Sequence, residues 1–300
     1  MNNKKGRVIA LGHFDGVHLG HTALLKQAVS LAQERGLLAS AFVFDSDPDN
    51  VFAGACVTPF ITDNTTKAQL MAQLGLEEVI YVPFNPNMAR LTPSEFVDML
   101  KKEYDAKILV CGFHYHFGIA ASGNAELLKK LCEKREMECC VVEAVSHDGM
   151  LISATKIRSL ITSGNMELAM ALLGRPFTVQ GEVYHGKKVG SRLGYPTINQ
   201  TLDPYSIVPM YGVYATKVLV DGVWHQAVTN VGVRPTVEKT HAYNMETFIL
   251  DLDADLYGKS VSVAFYKLLR PETKFNSIDE LRAAIAENVC QTKEYFSLYK

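Results

Sequence analysis

The fold of the first half of the chain is decided by Val8-Ile9-Ala10-Leu11-Gly12-His13-Phe14-Asp15-Gly16-Val17-His18-Leu19-Gly20-His21. Its first four residues form an apolar run, which is typical of a buried parallel strand. A helical pattern follows over residues 20–34, with Leu24, Ala28 and Leu31 on one face, and it stops at Gly36. An open α/β sheet binds ligands at such a turn from strand to helix. Because this turn is rich in glycine and a helix start carries unpaired N–H groups, we predict a phosphate site here.

Strand and helix patterns alternate through the rest of the first half. Strand-like runs at 38–44, 78–82, 107–111 and 138–143 are separated by helical patterns at 67–74, 93–104 and 125–135. Repeated β-α-β units predict a parallel sheet with helices on both faces. The first half is therefore expected to be an α/β domain.

The pattern changes after Gly174-Arg175-Pro176. Short β-branched runs follow at 177–184, 212–220, 223–231, 247–252 and 260–269, and Asp221-Gly222 is a hairpin signal. Closely spaced strands without intervening helices predict an antiparallel β-barrel. Ser277 and Glu280 form a predicted capping box at the start of a C-terminal helix. We expect two domains, residues 1–170 and 171–300.

The composition excludes several classes of protein. The chain is 48% hydrophobic and 21% charged, which excludes a disordered, collagen-like or coiled-coil chain. Its net charge of -2 argues against a broad surface for nucleic acid or anionic membrane. There is no signal peptide or membrane-spanning run, and six scattered cysteines fit a reducing compartment. We therefore expect a cytoplasmic protein whose partners are small molecules, and a homo-oligomer stays open.

His18 and His21 share one face at the start of the first predicted helix. Imidazole N–H groups there can stabilise negative charge that develops on a phosphate, with about 3–4 kcal/mol from one well-placed donor. Two alternatives are a zinc site and ordinary packing histidines. H-x-x-H is a weak zinc signal, since no nearby Cys or carboxylate completes a ligand set. A Walker-type loop is excluded because its sequence is absent.

The ten residues from Gly12 to His21 resemble the G-x-F-D-G-x-H-x-G-H signature of the cytidylyltransferase-like nucleotidyltransferases. Residues 152–158 resemble that family's I-S-x-T-x-I-R segment, which closes over a triphosphate, although Ser and Thr also cap helices. The resemblance implies a Rossmann-like domain in which His18 and His21 are catalytic. It also implies an ATP site formed by Gly12, His13, Phe14, Asp15, Gly16, His18, Gly20, His21, Ser153, Thr155 and Arg158.

The second half holds a dense stretch of glycines and lysines over residues 181–199. Its backbone N–H groups are suited to wrapping a nucleotide, although a plain glycine-rich hairpin has the same composition. Thr197 and Asn199 place two oxygens on the same side of an extended segment, and such oxygens suit Mg²⁺. Glu246 opens a strand-like run and is a candidate general base for a substrate hydroxyl. The alternative is a surface carboxylate.

With residues 230–236, 255–258 and 269–275, these segments look like bacterial riboflavin kinase. The resemblance implies that Thr197 and Asn199 hold Mg²⁺ and phosphate and that Glu246 is the base for the ribityl 5′-hydroxyl. It implies an ATP site at Gly181, Gly186, Lys187, Gly190, Thr197 and Asn199, and flavin contacts from Arg270 and Glu272.

Both sets of motifs occur in the same order in the bacterial bifunctional riboflavin kinase/FAD synthetase family. The resemblance implies phosphorylation of riboflavin to FMN and adenylylation of FMN to FAD, with ATP as co-substrate and Mg²⁺ in both steps. The chain departs from the family at Ser46-Asp47, in place of Pro-His, and at His114 and His116, in place of Asp and Arg. Arginine stays charged, whereas histidine titrates near neutrality. Two alternatives stay open: a kinase with a weak or altered N-terminal domain, and a non-catalytic flavin or nucleotide sensor.

Overall fold

The computed structural model describes residues 6–186, 190, 194–233, 243–252 and 254–298. The chain divides into two compact units, Met1–Ala154 and Thr155–Lys300, which we call the first and the second unit. The two helices that immediately precede the barrel, Ala154–Thr162 and Met166–Leu173, belong to the second unit except for Ala154. The predicted domain boundary, with one activity in residues 1–170 and the other in residues 171–300, stays a prediction.

The first unit is built on a five-stranded parallel sheet with strand order β3-β2-β1-β4-β7. Its strands are β1 Arg7–Leu11, β2 Leu38–Phe44, β3 Glu78–Val82, β4 Ala106–Gly112 and β7 Glu138–Val142. Two short hairpins are β5 His116–Phe117 with β6 Gly123–Asn124, and β8 Ser146–His147 with β9 Met150–Leu151. β1 lies between β2 and β4, and its apolar run is buried. The prediction of a buried parallel strand is confirmed.

Helices cover both faces of this sheet. They are α1 Leu19–Arg35, α2 Pro48–Ala53, α3 Asn64–Gln73, α4 Pro86–Arg90, α5 Pro93–Tyr104 and α6 Ala125–Glu133. On one face, Leu25 and Ala28 of α1 share a core with Met71 of α3. On the other, Leu100 of α5 packs with Leu128 of α6. The two cores confirm the predicted α/β layering.

Three cysteines meet in the second of these cores, although their spacing in the sequence is wide. Cys111 lies on β4, Cys132 on α6 and Cys139 on β7. Hydrogen bonds from the thiols of Cys111 and Cys132 lower the pKa of Cys139. The described cysteines are free thiols.

The second unit begins with α7 Ala154–Thr162 and α8 Met166–Leu173 and continues into a closed antiparallel barrel of order β10-β11-β14-β13-β12-β15. The strands are β10 Phe177–Tyr184, β11 Ile198–Gln200, β12 Gly212–Val220, β13 Val223–Val233, β14 Tyr243–Ile249 and β15 Ser260–Pro271. Asp221 and Gly222 both have positive φ, 48° and 83°, as a two-residue hairpin turn requires. The barrel and this hairpin confirm the prediction.

Side chains alternate between the inside and the outside of the barrel. Thr216, Thr229 and Thr247 are inaccessible to solvent, and their hydroxyls form a chain of hydrogen bonds of 2.8 and 2.9 Å. These three threonines therefore point into the barrel. Asn230 follows Thr229 and Glu246 precedes Thr247, so the side chains of Asn230 and Glu246 point outward.

A C-terminal helix, Ile278–Leu298, packs on the outside of the barrel, where Val289 packs against a cluster formed by Val213, Val228 and Leu250. The predicted capping box at its start is half correct. The hydroxyl of Ser277 accepts the N–H of Glu280 at 3.1 Å. The Glu280 carboxylate instead accepts the N–H of Asn276 at 2.9 Å, because it reaches one residue further back than the prediction assumed. Among the described residues, no helix has both the length and the hydropathy needed to cross a membrane.

Candidate active sites

The turn after β1 has an unusual backbone that brings its residues close together. Phe14 (φ 53°), Gly16 (φ 76°) and Val17 (φ 36°) all lie in the left-handed region, which costs about 1–3 kcal/mol for a residue other than glycine. The ring of Phe14 is fully buried beneath the turn. A Cβ on Gly12 would lie 3.1 Å from that ring, so Gly12 allows the chain to fold back over it.

Asp15 ties this turn to the loop before α3. Its buried carboxylate accepts the backbone N–H groups of Ile61, at 3.0 Å to each oxygen, and of Thr62, at 3.1 Å. Hydrogen bonds to a carboxylate are among the stronger ones in proteins. The side chain of Asp15 thus supports the site from behind, and an ATP contact through its backbone stays a prediction.

His18 and His21 meet at the start of α1, as their spacing predicts. His18 caps the helix, and its Nδ1 accepts the backbone N–H of His21 at 3.2 Å. Because Nδ1 accepts, a neutral His18 carries its proton on Nε2, which makes Nε2 a donor. The two rings stack with centroids 3.6 Å apart, and a Cβ on Gly20 would lie 3.1 Å from the His18 ring. Glycine at this position leaves room for the imidazole.

Lys67 is a charged residue near the turn that the sequence analysis did not single out. It lies on α3, is buried, and donates from Nζ to Asn64 Oδ1 at 3.3 Å. Burial lowers its pKa, while the carboxylates of Asp15 and Asp63 act in the opposite direction. The signal in the sequence is its spacing of four from the buried Met71, which places both side chains on one face of α3.

A cavity of about 360 Å³ opens beside the turn at the carboxyl ends of β1 and β2. Seven of the seventeen described residues that line it are Phe or Tyr. Phe44, Phe84 and Phe52 form a run of edge-on contacts with centroids 4.9 and 5.4 Å apart. Phe52 is 70% exposed, which is unusual for an aromatic residue that lines a pocket. Tyr115 and Phe117 line the opposite side and stack on each other. Sequence periodicity did not predict this pocket, because its walls come from separate segments.

The departures from the family pattern lie at or near this cavity. Of the departures, His116 lines it. His13, which belongs to the matching motif, also lines it, and desolvation by burial lowers the pKa of His13. His116 Nδ1 lies 2.9 Å from the carbonyl oxygen of His114. Asp47 caps α2 by accepting the N–H of Asp49 at 2.9 Å, and Asp49 lines the cavity. The substitution that introduces Asp47 therefore has a structural role at the start of α2.

The second predicted segment of this site spans the division between the two units. Ser153 belongs to the first unit and immediately precedes α7, whereas Thr155 and Arg158 lie on α7 in the second unit. A Cβ on Gly20 would lie 4.0 Å from the carbonyl oxygen of Ile152, so the chain just before Ser153 runs beside the start of α1. The ATP contacts of Ser153, Thr155 and Arg158 stay predictions.

The barrel carries a row of polar side chains on its outer face. Asn199 on β11 pairs directly with Glu246 on β14, which pairs directly with Asn230 on β13. Residues directly opposite each other project to the same side of a sheet. Glu246 is the fourth residue of β14, so the prediction that it opens the strand is wrong. The strand begins at Tyr243 because pairing with β13 extends it, and local β-propensity did not indicate those added residues.

The glycine-rich segment approaches this row closely. A Cβ on Gly186 would lie 2.3 Å from the side chain of Asn199, and a Cβ on Gly190 would lie 3.3 Å from Thr197 Oγ1. Gly181 lies within β10, where a Cβ would lie 2.7 Å from the carbonyl oxygen of Thr201. Glycine at these positions allows backbone to pass where a side chain would collide. Lys187 lies outside the described residues.

The oxygens of this site suit a magnesium ion. Thr197 lines a cavity of about 100 Å³, and Asn199 is not among the described residues that line it. The amide of Asn199 is buried close to Gly186. Mg²⁺ prefers such oxygen ligands and usually keeps waters and substrate phosphates. In the described part of the chain, no group of three or more His, Cys, Asp and Glu side chains forms a metal site. The side-chain oxygens of Thr197 and Asn199 are of the kind that Mg²⁺ accepts, and their joint binding of an ion stays a prediction.

Arg270 lies on β15, and Glu272 follows the end of that strand. Arg270 pairs with Val213, and its Nε donates to Asn288 Oδ1 of the C-terminal helix at 3.1 Å. Burial lowers its pKa. A Cβ on Gly232 would lie 2.6 Å from Glu272 Oε1, so glycine leaves room for that carboxylate. Flavin contacts of Arg270 and Glu272 stay predictions.

Two family models match the chain, FAD synthetase over residues 1–156 and riboflavin kinase over residues 173–296. Similar curated proteins are the bifunctional riboflavin kinase/FMN adenylyltransferases of Listeria monocytogenes and Escherichia coli K12. The first is 35% identical, covering 97% of this chain and 93% of the relative. The second is 34% identical, covering 99% and 95%.

Among solved structures, the crystal structure of a macrolide-efflux protein from Streptococcus pneumoniae is similar along the whole chain. Its TM-score is 0.87 at 30% identity, with 98% of this chain and 95% of that chain covered. The two family models, in the order that the motifs indicate, and relatives matched over nearly their full length lead to one conclusion. The chain belongs to the bifunctional riboflavin kinase/FMN adenylyltransferase family.

Proposed function

We propose that this protein phosphorylates riboflavin to FMN in its barrel and adenylylates FMN to FAD in its N-terminal domain, with ATP as co-substrate in both reactions. The observation that carries the proposal is the presence of two separate candidate sites. In the first unit, the turn that leads to His18 and His21 adjoins an aromatic cavity. On the barrel, Asn199, Glu246 and Asn230 form a row of polar side chains. The proposed domains are residues 1–170 and 171–300, and the proposed location is the cytoplasm.

In the kinase reaction, the riboflavin 5′-hydroxyl attacks the γ-phosphorus of ATP, and ADP leaves. Glu246 accepts the hydroxyl proton, a role worth about 10²–10⁴-fold in rate. Thr197 and Asn199 would hold Mg²⁺, which when bound supplies neutralisation of phosphate charge. Phosphoryl transfer needs mainly positioning and electrostatic stabilisation, so this small set of groups is sufficient.

In the adenylyl transfer, an FMN phosphate oxygen attacks the α-phosphorus of ATP, and pyrophosphate leaves. No nucleophilic side chain takes part. His18 and His21 donate to the triphosphate as charge develops on the leaving group, and the N-terminus of α1 adds a partial positive charge. The aromatic cavity, whose volume is within the usual range for small-molecule sites, accepts the flavin ring.

Phe52→Ala tests the proposed flavin cavity. We expect the KM for FMN to rise about 5- to 10-fold, because an aromatic stack contributes about 1 kcal/mol beyond area burial. The unfolding temperature should stay unchanged, since Phe52 is 70% exposed without a ligand. The measurement is steady-state FAD formation at varied FMN. Trp224→Ala removes another exposed aromatic side chain, on the β12–β13 hairpin, and should leave this KM unchanged. An unaltered KM in Phe52→Ala would exclude stacking on this side chain.

A second candidate function keeps the kinase and assigns slow or altered nucleotidyl transfer to the N-terminal domain. It is favoured by one observation: Asp49 and His116 line the aromatic cavity. A carboxylate beside the phosphate of FMN would repel it, and histidine offers fewer donors than arginine. This candidate predicts FMN accumulation with little FAD.

The decisive experiment is incubation of the protein with riboflavin, ATP and Mg²⁺, followed by chromatographic separation of FMN and FAD. We expect FMN to appear first and FAD to follow, and both to disappear when EDTA replaces Mg²⁺. A second incubation starts from FMN, which isolates the adenylyl transfer. Fast FAD formation from FMN would exclude the slow N-terminal domain. Binding of riboflavin without either product would support the non-catalytic sensor instead.

A further inference from the structure

Asn244 lies in the barrel site, although no sequence motif identified it. It precedes Glu246 by two residues on β14, so both side chains project from the same outer face. Its Nδ2 lies 3.0 Å from Glu246 Oε1 and 3.3 Å from Asn199 Oδ1. One amide nitrogen therefore contacts both the proposed base and a proposed magnesium ligand.

The orientation of this amide follows from its neighbours. An ionised carboxylate only accepts hydrogen bonds, so the group that faces Glu246 has to be the NH₂ of Asn244. An NH₂ group has two hydrogens, and each of the two acceptors takes one. The Oδ1 of Asn244 then faces away and accepts the hydroxyl hydrogen of Tyr184. Two donated hydrogen bonds, to Glu246 and Asn199, and one accepted hydrogen bond, from Tyr184, thus fix the orientation of the Asn244 amide.

The strand register explains why these residues meet. Tyr184 on β10 pairs directly with Asn199 on β11, which pairs directly with Glu246 on β14. Asn244 itself pairs with Gly232 on β13, a residue without a side chain. Tyr184, Asn199, Asn244 and Glu246 thus form one hydrogen-bonded group across three adjacent strands, which we call the amide bridge.

We infer that Asn244 is a positioning residue for the kinase reaction, and this inference rests on the proposed function of the barrel. Its two N–H donors hold the carboxylate of Glu246 and the amide oxygen of Asn199 within two hydrogen-bond lengths of each other. A carboxylate held in one rotamer loses less conformational freedom when the substrate hydroxyl arrives. Asn244 acts through Glu246 and Asn199 and is not assigned a contact with the substrate.

The test is riboflavin phosphorylation by Asn244→Ala. We expect kcat to fall about 10- to 30-fold, because small displacements of a reacting group reduce rates by up to about 10²-fold. The KM for riboflavin, and the dissociation constant from quenching of riboflavin fluorescence, should change less than about twofold. FAD formation from supplied FMN should stay the same, which shows that the proposed site in the first unit is intact. A partly unfolded barrel would instead lower the fraction of protein that binds riboflavin, seen as a smaller amplitude of fluorescence quenching, and would lower the unfolding temperature. We expect neither change in Asn244→Ala.

Tyr184→Phe provides a milder variant that keeps the ring and removes the hydroxyl that orients Asn244. We expect kcat to fall about threefold to fivefold. The Tyr184→Phe/Asn244→Ala double variant should match Asn244→Ala alone, because Tyr184 acts through Asn244. Gln226→Ala is the matched control: Gln226 is an amide on the same outer face of β13, four residues from Asn230, and its truncation should leave kcat unchanged.

Three results would overturn the inference. One is a kcat within twofold of wild type in Asn244→Ala. Another is additive losses in the double variant, which would show that the two side chains act separately. If Asn244→Ala does not fold, a normal kcat in Tyr184→Phe decides against the inference. A wild-type protein that forms no FMN would overturn the proposed kinase function as well, so failure of the bridge alone is distinguishable from failure of the function.

Discussion

Replacing Glu246 with glutamine is expected to reduce the rate of riboflavin phosphorylation by about 10²–10⁴-fold. Glutamine has the shape of glutamate but cannot take the proton of the ribityl 5′-hydroxyl. Its amide oxygen can still accept the hydrogen bond from Asn244 Nδ2, so the amide bridge should survive. The fall in rate therefore measures the contribution of proton transfer alone, because the position of the side chain is kept. The measurement is FMN formation from riboflavin, ATP and Mg²⁺.

The bifunctional chain supplies an internal control for this variant. FAD formation from supplied FMN should be unchanged in Glu246→Gln, because Glu246 belongs to the barrel and is no part of the proposed adenylylation site. Glu287→Gln removes one negative charge from an exposed position on the C-terminal helix and should leave both activities unchanged. Full kinase activity in Glu246→Gln would remove the base assignment and restore the alternative of a plain surface carboxylate.

Replacing His18 with asparagine is expected to reduce adenylylation of FMN by about 10²–10³-fold. The structure makes this substitution informative because the two nitrogens of His18 have different roles. Nδ1 accepts the N–H of His21 and caps α1, whereas Nε2 is the nitrogen that we propose donates to phosphate. Asparagine is a good helix cap, so it replaces the function of Nδ1 without supplying a donor at the position of Nε2. FAD formation from FMN and ATP measures the effect.

His18→Gln is the complementary variant. Glutamine places an amide donor near the position of Nε2 but loses the cap, which costs about 1 kcal/mol of stability. We expect it to retain more adenylyl transfer than His18→Asn while unfolding at a lower temperature. Kinase activity should be unchanged in both variants. If His18→Asn transfers AMP at the wild-type rate, His18 is a capping residue and has no part in the chemistry.

Local sequence patterns predicted most of the architecture. Strands β2 and β3, helix α5 and strands β10 and β12 begin and end at the predicted residues, because each has a clear hydrophobic period or a strong turn or cap at its ends. The meeting of His18 and His21 was also predictable. Both residues lie in one turn of one helix, and a spacing of three fixes their relative positions wherever the helix packs.

The sequence by itself therefore predicted the α/β class of the first domain, the β-barrel of the second and the histidine turn, since each signal comes from residues close together in the chain. Only the tertiary structure decided that Asn244 bridges Glu246 and Asn199, that Asp15 holds the loop at Ile61, and that aromatic residues from separate segments enclose one cavity. The contact between Asn244 and Asn199 joins residues 45 positions apart, and the contact between Asp15 and Ile61 joins residues 46 positions apart. They depend on strand register and on the packing of separate elements, and neither is encoded in the local period of hydrophobic residues.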